Sequence, residues 1–372
     1  MEDKIIYHMA EPDLTGNERN YLIDAFDSGW ISSKGKYIQK FEENFANFVE
    51  TKFAVSCSNG TTALHLAIRA LGIGAGDEVL VPNLTFASPA NAVLYEHAKP
   101  ILVDVDKRYW CIDPIRIEEC ITEKTKAIIV VHLYGHPADM DSIMKIAKKH
   151  GLKVIEDAAE AHGAMFRDKK VGSIGDIGCF SFYGNKIVTT GEGGMIVTND
   201  QSLADKLRML RDHGMLPSKR YWHDEVGYNY RITNLQAAIG VAQLETISEK
   251  IEKRRWIARK YADFLDKSVE LQVEMPWALN VYWLPTFIIK NLSNRTAKDS
   301  LMDKMNQHGI ETRPVFYPLN EMPPYKNNGV FTNSNYISFH GISLPVYNSL
   351  KEDDIRIISE HLNESLKILT TG

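Results

Sequence analysis

The spacing of apolar positions changes several times along the chain. Residues 17–26 and 37–49 carry apolar side chains at helical intervals, and 61–71 predicts a stronger helix. In the latter, Ala63, Leu64, Ala67, Ile68 and Leu71 share one stripe. Residues 77–82, 100–105, 126–133 and 152–156 are short apolar runs rich in β-formers, and each predicts a strand. Between the last two lies 140–150, an amphipathic helix stopped by Gly151. Strands alternating with helices of this length predict an α/β protein with a mostly parallel sheet covered on both faces. In such sheets ligands sit beyond the carboxyl ends of the strands.

The pattern changes after residue 233. Residues 233–265 predict one long helix or two, rich in Gln, Glu, Lys and Arg. An extended run at 281–290, a helix at 298–308, a Pro-rich stretch at 313–325 and a closing helix at 352–369 follow. We expect a large α/β domain over 1–250 and a smaller α+β domain over 251–372.

Composition narrows the function. Lys and Arg number 43 against 48 Asp and Glu, a net charge of −5 over 372 residues. Nucleic-acid binding through a general positive excess is thereby excluded. A hydrophobic fraction of 44% with 24% charged residues is that of an ordinary globular chain. The longest purely apolar run, 127–131, is too short to cross a bilayer. The opening MEDKIIYHMAEPDL has no basic start followed by an apolar stretch, so a cytoplasmic protein is expected. Cys57, Cys111, Cys120 and Cys179 show no metal-ligand spacing and are expected to be reduced, structural thiols. No metal site is expected. His132 and His136 are four apart, but Gly135 and Pro137 break any helix between them, which excludes a metallopeptidase.

Three segments could carry chemistry. Ser58-Asn59-Gly60-Thr61-Thr62 follows one extended run and opens the 61–71 helix, so it either caps that helix or cradles a phosphate at its N-terminus. Asp157 ends a strand, with Glu160 and His162 following, so polar groups gather where ligands bind. Lys186 closes the aromatic, strand-like segment 180–186 and precedes a Gly-rich turn at 189–194. A lysine held among aromatics loses hydration, which lowers its pKa and makes the amine a nucleophile.

Together, Ser58-Asn59-Gly60-Thr61, Glu156-Asp157-Ala158-Ala159-Glu160-Ala161, Ser181-Phe182-Tyr183-Gly184-Asn185-Lys186 and Gly191-Glu192-Gly193-Gly194-Met195 closely resemble one family. It is the DegT/DnrJ/EryC1/StrS family of fold-type I, pyridoxal-phosphate-dependent aminotransferases of nucleotide-linked keto sugars. The stretches 30–35, 228–234 and 313–318 match it too, in the family's order. The resemblance implies that Lys186 forms the Schiff base with pyridoxal 5'-phosphate and that Asp157 pairs with the ring nitrogen. It places Gly60, Thr61 and Ser181 around the phosphate, and Phe86 over the ring. It sets Glu160 near the ring hydroxyl, where the family often has Gln. Asn229 matches a residue reaching the neighbouring subunit's cofactor, which implies a homodimer with shared sites.

For the substrate the resemblance implies Trp30, Ser32, Lys34, Tyr221, His223, Arg313 and Tyr317. The implied reaction takes nitrogen from L-glutamate and delivers it to C4 of a nucleotide-linked 4-keto-6-deoxy sugar, GDP-4-keto-6-deoxymannose ahead of UDP- or dTDP-linked sugars. Lys186 and Asp157 bear on two rivals. Dehydratase relatives replace the Schiff-base lysine with histidine, and a non-catalytic regulator would need neither Lys186 nor Asp157. Arg313 and Lys34 are natural partners for an anionic diphosphate, and Tyr221 and Trp222 for a purine or, equally, a core.

Overall fold

Seven strands form one sheet in the order Phe53–Cys57, Gly194–Thr198, Ile177–Ser181, Lys153–Asp157, Thr125–Val131, Glu78–Pro82, Lys99–Val103. Only Gly194–Thr198 runs against its neighbours; the pairings among the other strands are parallel. The computed structural model describes residues 5–371; residues 1–4, part of the opening discussed above, lie outside the described residues. No helix among the described residues is long and apolar enough to cross a membrane.

The buried strands explain the sequence pattern. Thr125–Val131 reads TKAIIVV, with every residue but Lys126 buried, because helices cover both faces. The Phe41, Phe45, Phe180 and Phe182 rings pack with centroids 4.9 to 6.2 Å apart, joining the Lys36–Val49 helix to the sheet. Gly151, at φ +65°, ends the Met140–His150 helix in the left-handed conformation that glycine adopts without strain. Cys57, Cys111 and Cys179 are buried.

A four-stranded antiparallel sheet, in the order Val269–Leu271, Thr286–Ile289, Gly341–Ser343, Arg313–Pro314, forms later in the chain. The helical stretch after residue 233 is two helices, Asn234–Glu245 and Ile247–Phe264, and residue 250 lies within the second. The first begins in a capping box between Thr233 and Gln236. Of the expected run 281–290, only Thr286–Ile289 is a strand. Before it, Tyr282 takes φ +47°, which no strand accommodates. The helices Ser88–Tyr95, Gln201–Arg211 and Thr332–His340 were not anticipated from periodicity. The first of these is short and nearly apolar all round, leaving no polar stripe to reveal its period.

Candidate active site

The carboxyl ends of the parallel strands, with the amino end of Gly194–Thr198, form one rim of the large sheet. A cavity of about 510 Å³ opens there. Gly60, Thr61, Phe86, Asp157, Glu160, Ser181, Lys186 and Arg313 all line it. These are eight of the residues singled out above, drawn from five separate stretches of chain.

One wall is the N-terminus of the Gly60–Ala70 helix. The Asn59 side chain accepts from the Thr62 amide at 2.9 Å, and the Thr62 hydroxyl accepts from the Asn59 amide at 3.1 Å. The Ala63 amide reaches the Asn59 carbonyl. Among the described residues nothing accepts from the amides of Gly60 and Thr61. Capping and anion binding are therefore compatible: Asn59 satisfies one donor and leaves two at the positive end of the helix dipole. Gly60 is required by close approach, since a Cβ there would lie 2.8 Å from the Cβ of Ser181. The Thr61 hydroxyl hydrogen-bonds that of Ser88 at 2.7 Å.

The opposite wall holds the ionisable groups. Asp157 ends the strand Lys153–Asp157, and its carboxylate accepts from the Ala159 amide at 3.0 Å. Burial pushes its pKa up, against that hydrogen bond and the charge of Lys186. Such a carboxyl is ready to gain a cationic partner. Its backbone is steadied by His132, whose amide donates to the Asp157 carbonyl. The buried His132 imidazole meets the Glu156 carboxylate at 3.0 Å. Glu156 also accepts from the amides of Gly172, Ile174 and Gly175, tying that loop to the strand.

Lys186 lies past the end of the strand Ile177–Ser181, in a turn closed by its own amide to the Tyr183 carbonyl at 2.9 Å. The strand-like reading of 180–186 thus holds only to Ser181, because the chain must turn to bring the amine into the cavity. The Lys186 Nζ stands 3.8 Å from Glu160 Oε1 and 3.6 Å from the ring centre of Trp283. Burial lowers the pKa of the amine, opposed by the carboxylates of Glu160 and Asp157. Burial likewise raises Glu160, opposed by Lys186 and by the Tyr134 amide that it accepts at 2.8 Å. Glu160 thus faces a cation and a donor.

Tyr134, Trp283 and Phe316 were not found from the sequence. Tyr134 takes φ +56°, uncommon for a bulky residue, and its ring stacks between Trp283 and Phe316. The Phe86 ring lies 5.9 Å from Phe316. No periodic pattern marks these residues, because their meeting depends on three connections far apart in sequence.

The remaining candidates do not line the cavity. Trp30, Ser32 and Lys34 are exposed, although Asn234 ties their segment down by donating to the Trp30 and Ser32 carbonyls. Tyr221 and His223 are exposed, and the His223 ring meets the His213 carbonyl at 2.9 Å. Tyr317 is exposed near the end of the strand Arg313–Pro314. Asn229 is also exposed, its side-chain oxygen accepting from Arg231 at 2.8 and 3.0 Å.

Pyridoxal phosphate fits the residues present. Two free amides at a helix N-terminus suit its phosphate, and the buried carboxyl of Asp157 suits a protonated ring nitrogen. The desolvated amine of Lys186 suits its aldehyde.

Comparison with known proteins agrees. The model of the DegT/DnrJ/EryC1/StrS aminotransferase family matches residues 12–363. The chain is 46% identical to the GDP-perosamine synthase of Caulobacter vibrioides over 98% of its own length and 100% of that protein. It is also 46% identical to the GDP-perosamine synthase of Escherichia coli O157:H7, covering 95% and 97% of the two chains. Among solved structures, the aminotransferase from Psychrobacter cryohalolentis superposes with a TM-score of 0.90 at 31% identity, covering 98% of this chain and 100% of that one. This chain belongs to the DegT/DnrJ/EryC1/StrS aminotransferase family.

Proposed function

We propose that the protein aminates C4 of a GDP-linked 4-keto-6-deoxy sugar, taking the nitrogen from L-glutamate and converting GDP-4-keto-6-deoxymannose to GDP-perosamine. The observation that carries the choice of substrate is the 46% identity to GDP-perosamine synthase across essentially the whole of both chains. The largely desolvated Lys186 amine, lining one cavity with Asp157 and a helix N-terminus, supports the chemistry.

Pyridoxal phosphate supplies the electron sink for the reaction. Asp157 holds the proton on the ring nitrogen, which keeps the sink effective. The amides of Gly60 and Thr61, with the Ser181 hydroxyl, would hold its phosphate, and Phe86 would lie against its ring. Lys186 would hold the cofactor through its amine, and its Nζ, when free, would move the proton at the substrate carbon in both half-reactions. That role needs an uncharged amine, in keeping with its burial. Glu160 serves as the counter-charge when the amine takes up a proton.

We take Asn229 to serve the site of a second copy, making the enzyme a homodimer. Trp30, Ser32, Lys34, Tyr221, His223, Arg313 and Tyr317 are assigned to the sugar nucleotide. Arg313, at the cavity wall, is the residue best placed to meet the diphosphate with a bidentate contact. The division into domains near residue 250 is part of the same reading.

The test is to offer GDP-, UDP- and dTDP-linked 4-keto-6-deoxy sugars side by side, with glutamate as donor. The expected result is the highest kcat/KM for the GDP sugar, with NMR placing nitrogen at C4. A preference for a UDP or dTDP sugar, or nitrogen at C3, would overturn the substrate and leave the aminotransferase intact.

A further inference from the structure

A buried guanidinium lies behind the reacting amine. Arg254, in the Ile247–Phe264 helix, is 4% exposed, and among the described residues no carboxylate pairs with it. Its Nη1 donates to the Trp283 carbonyl at 2.6 Å, while its Nε is buried with no acceptor. An unpaired cation is costly to bury, and an apolar side chain of the same volume would ordinarily be at least as stable there.

Trp283 links this guanidinium to Lys186. Its amide donates to the Tyr134 carbonyl at 2.9 Å and its indole N–H donates to the Asn185 carbonyl at 2.9 Å. The same indole presents its face to Lys186 Nζ at 3.6 Å. Arg254 therefore clamps the backbone of the residue against which the amine rests.

We propose that Arg254 is a positioning residue for Lys186: it fixes Trp283 against the amine, and its unpaired charge opposes protonation of that amine. This deepens, and rests on, the reading of Lys186 as the reacting amine. The opposing influences are the carboxylates of Glu160 and Asp157 and the indole face, all of which favour the ammonium. Burial and Arg254 act the other way. His162, buried against Phe180 and Phe182, is held neutral, so it adds no competing charge, and Glu192 and Arg313, of opposite sign, line the same cavity. Without Arg254 the two carboxylates would leave Lys186 charged to higher pH, and the amine would be a poorer nucleophile and base.

The experiment reads the amine directly in full-length protein freed of cofactor. Trace acetylation with acetic anhydride from pH 6 to 11, followed by mass spectrometry of the Lys186 peptide, gives the pH at which half the amine is uncharged. Arg254→Gln keeps a donor for the Trp283 carbonyl and removes the charge, so the midpoint should rise by about one pH unit. Arg254→Lys restores the charge and should bring the midpoint back toward wild type. If Arg254→Gln does not fold by circular dichroism, Arg254→Met is read in the same way. An unchanged midpoint without the charge, or Arg254→Lys no closer to wild type than the neutral variant, would overturn the proposal. Neither result would touch the assignment of Lys186, which is tested separately by locating the cofactor on the chain.

Discussion

The rim of the large sheet and the segment around residue 221 solve opposite problems. At the rim, Asp157 and Glu160 are buried and the Lys186 side chain is only 11% exposed, and their neighbours come from several connections of one chain. Around 221 the aromatics face outward: Tyr221 is 75% exposed and Trp222 50%. Their cationic neighbours are near in sequence, Arg220 over Tyr221 at 4.9 Å and Lys219 over Trp222 at 3.6 Å. Tyr221 also takes φ +64°, an uncommon conformation for an aromatic residue. Burial at the rim changes proton affinities and so makes reagents of ordinary side chains. On the function proposed above, the exposed segment awaits a surface that arrives later, a sugar nucleotide or a second copy of the chain.

The contrast can be broken most severely at Lys186. Lys186→Ala should abolish transamination, a loss on the order of 10⁴-fold or more, since no other amine lines the cavity in reach of both roles. Steady-state turnover within tenfold of wild type would remove Lys186 from the chemistry. Asp157→Asn keeps the shape and removes the charge, and should cost about 3 kcal/mol, or at least about a hundredfold in kcat. A change below about threefold would show that Asp157 does not face the ring nitrogen.

The outward-facing region is tested by mixing chains. If Asn229 serves the partner's site, a dimer of one Lys186→Ala chain and one Asn229→Ala chain has one doubly damaged site and one intact site. Purified mixed dimers should then exceed either single variant in activity. No recovery would assign Asn229 to its own chain's site or to none.

The smallest effect concerns His162, fully buried with neither ring nitrogen hydrogen-bonded. Burial lowers its pKa to about 3, against an ordinary value of 6.5. Below pH 6.5 the unfolded chain binds this proton and the folded chain does not. The stability owed to the neutral ring is complete above pH 6.5 and is lost as pH falls toward 3, by up to about 1.4 kcal/mol per pH unit. His162→Phe should flatten the slope of unfolding free energy against pH between about 6 and 4 by one proton. An unaltered slope would mean that the ring is already charged in the folded protein.

What could be read from the sequence follows the same division. The helix after Asn59, the strand before Asp157 and the apolar run 127–131 rest on local period and local capping, so they were legible. Asp157 and Glu160 stand at and just past a strand end, so their place at the ligand edge was legible, while the turn that aims both into one cavity was not. Trp283, Tyr134 and Arg254 gave no such signal. Each acts through a contact spanning from about 30 to 150 residues of chain, and Tyr134 and Tyr282 depend on positive φ values that neither side chain favours. Residues 281–285 open the expected extended run yet pair in no sheet for this reason: their apolar character reflects packing around the cavity.

The central claim is that Lys186 is the amine that holds the cofactor, and it can be tested without any substrate. Protein purified with pyridoxal phosphate would be reduced with borohydride, digested, and its peptides sequenced by mass spectrometry. The account predicts the phosphopyridoxyl mass on the peptide containing Lys186 and on no other lysine, and its loss in Lys186→Ala. The same mass on another lysine, or its persistence in that variant, would contradict it.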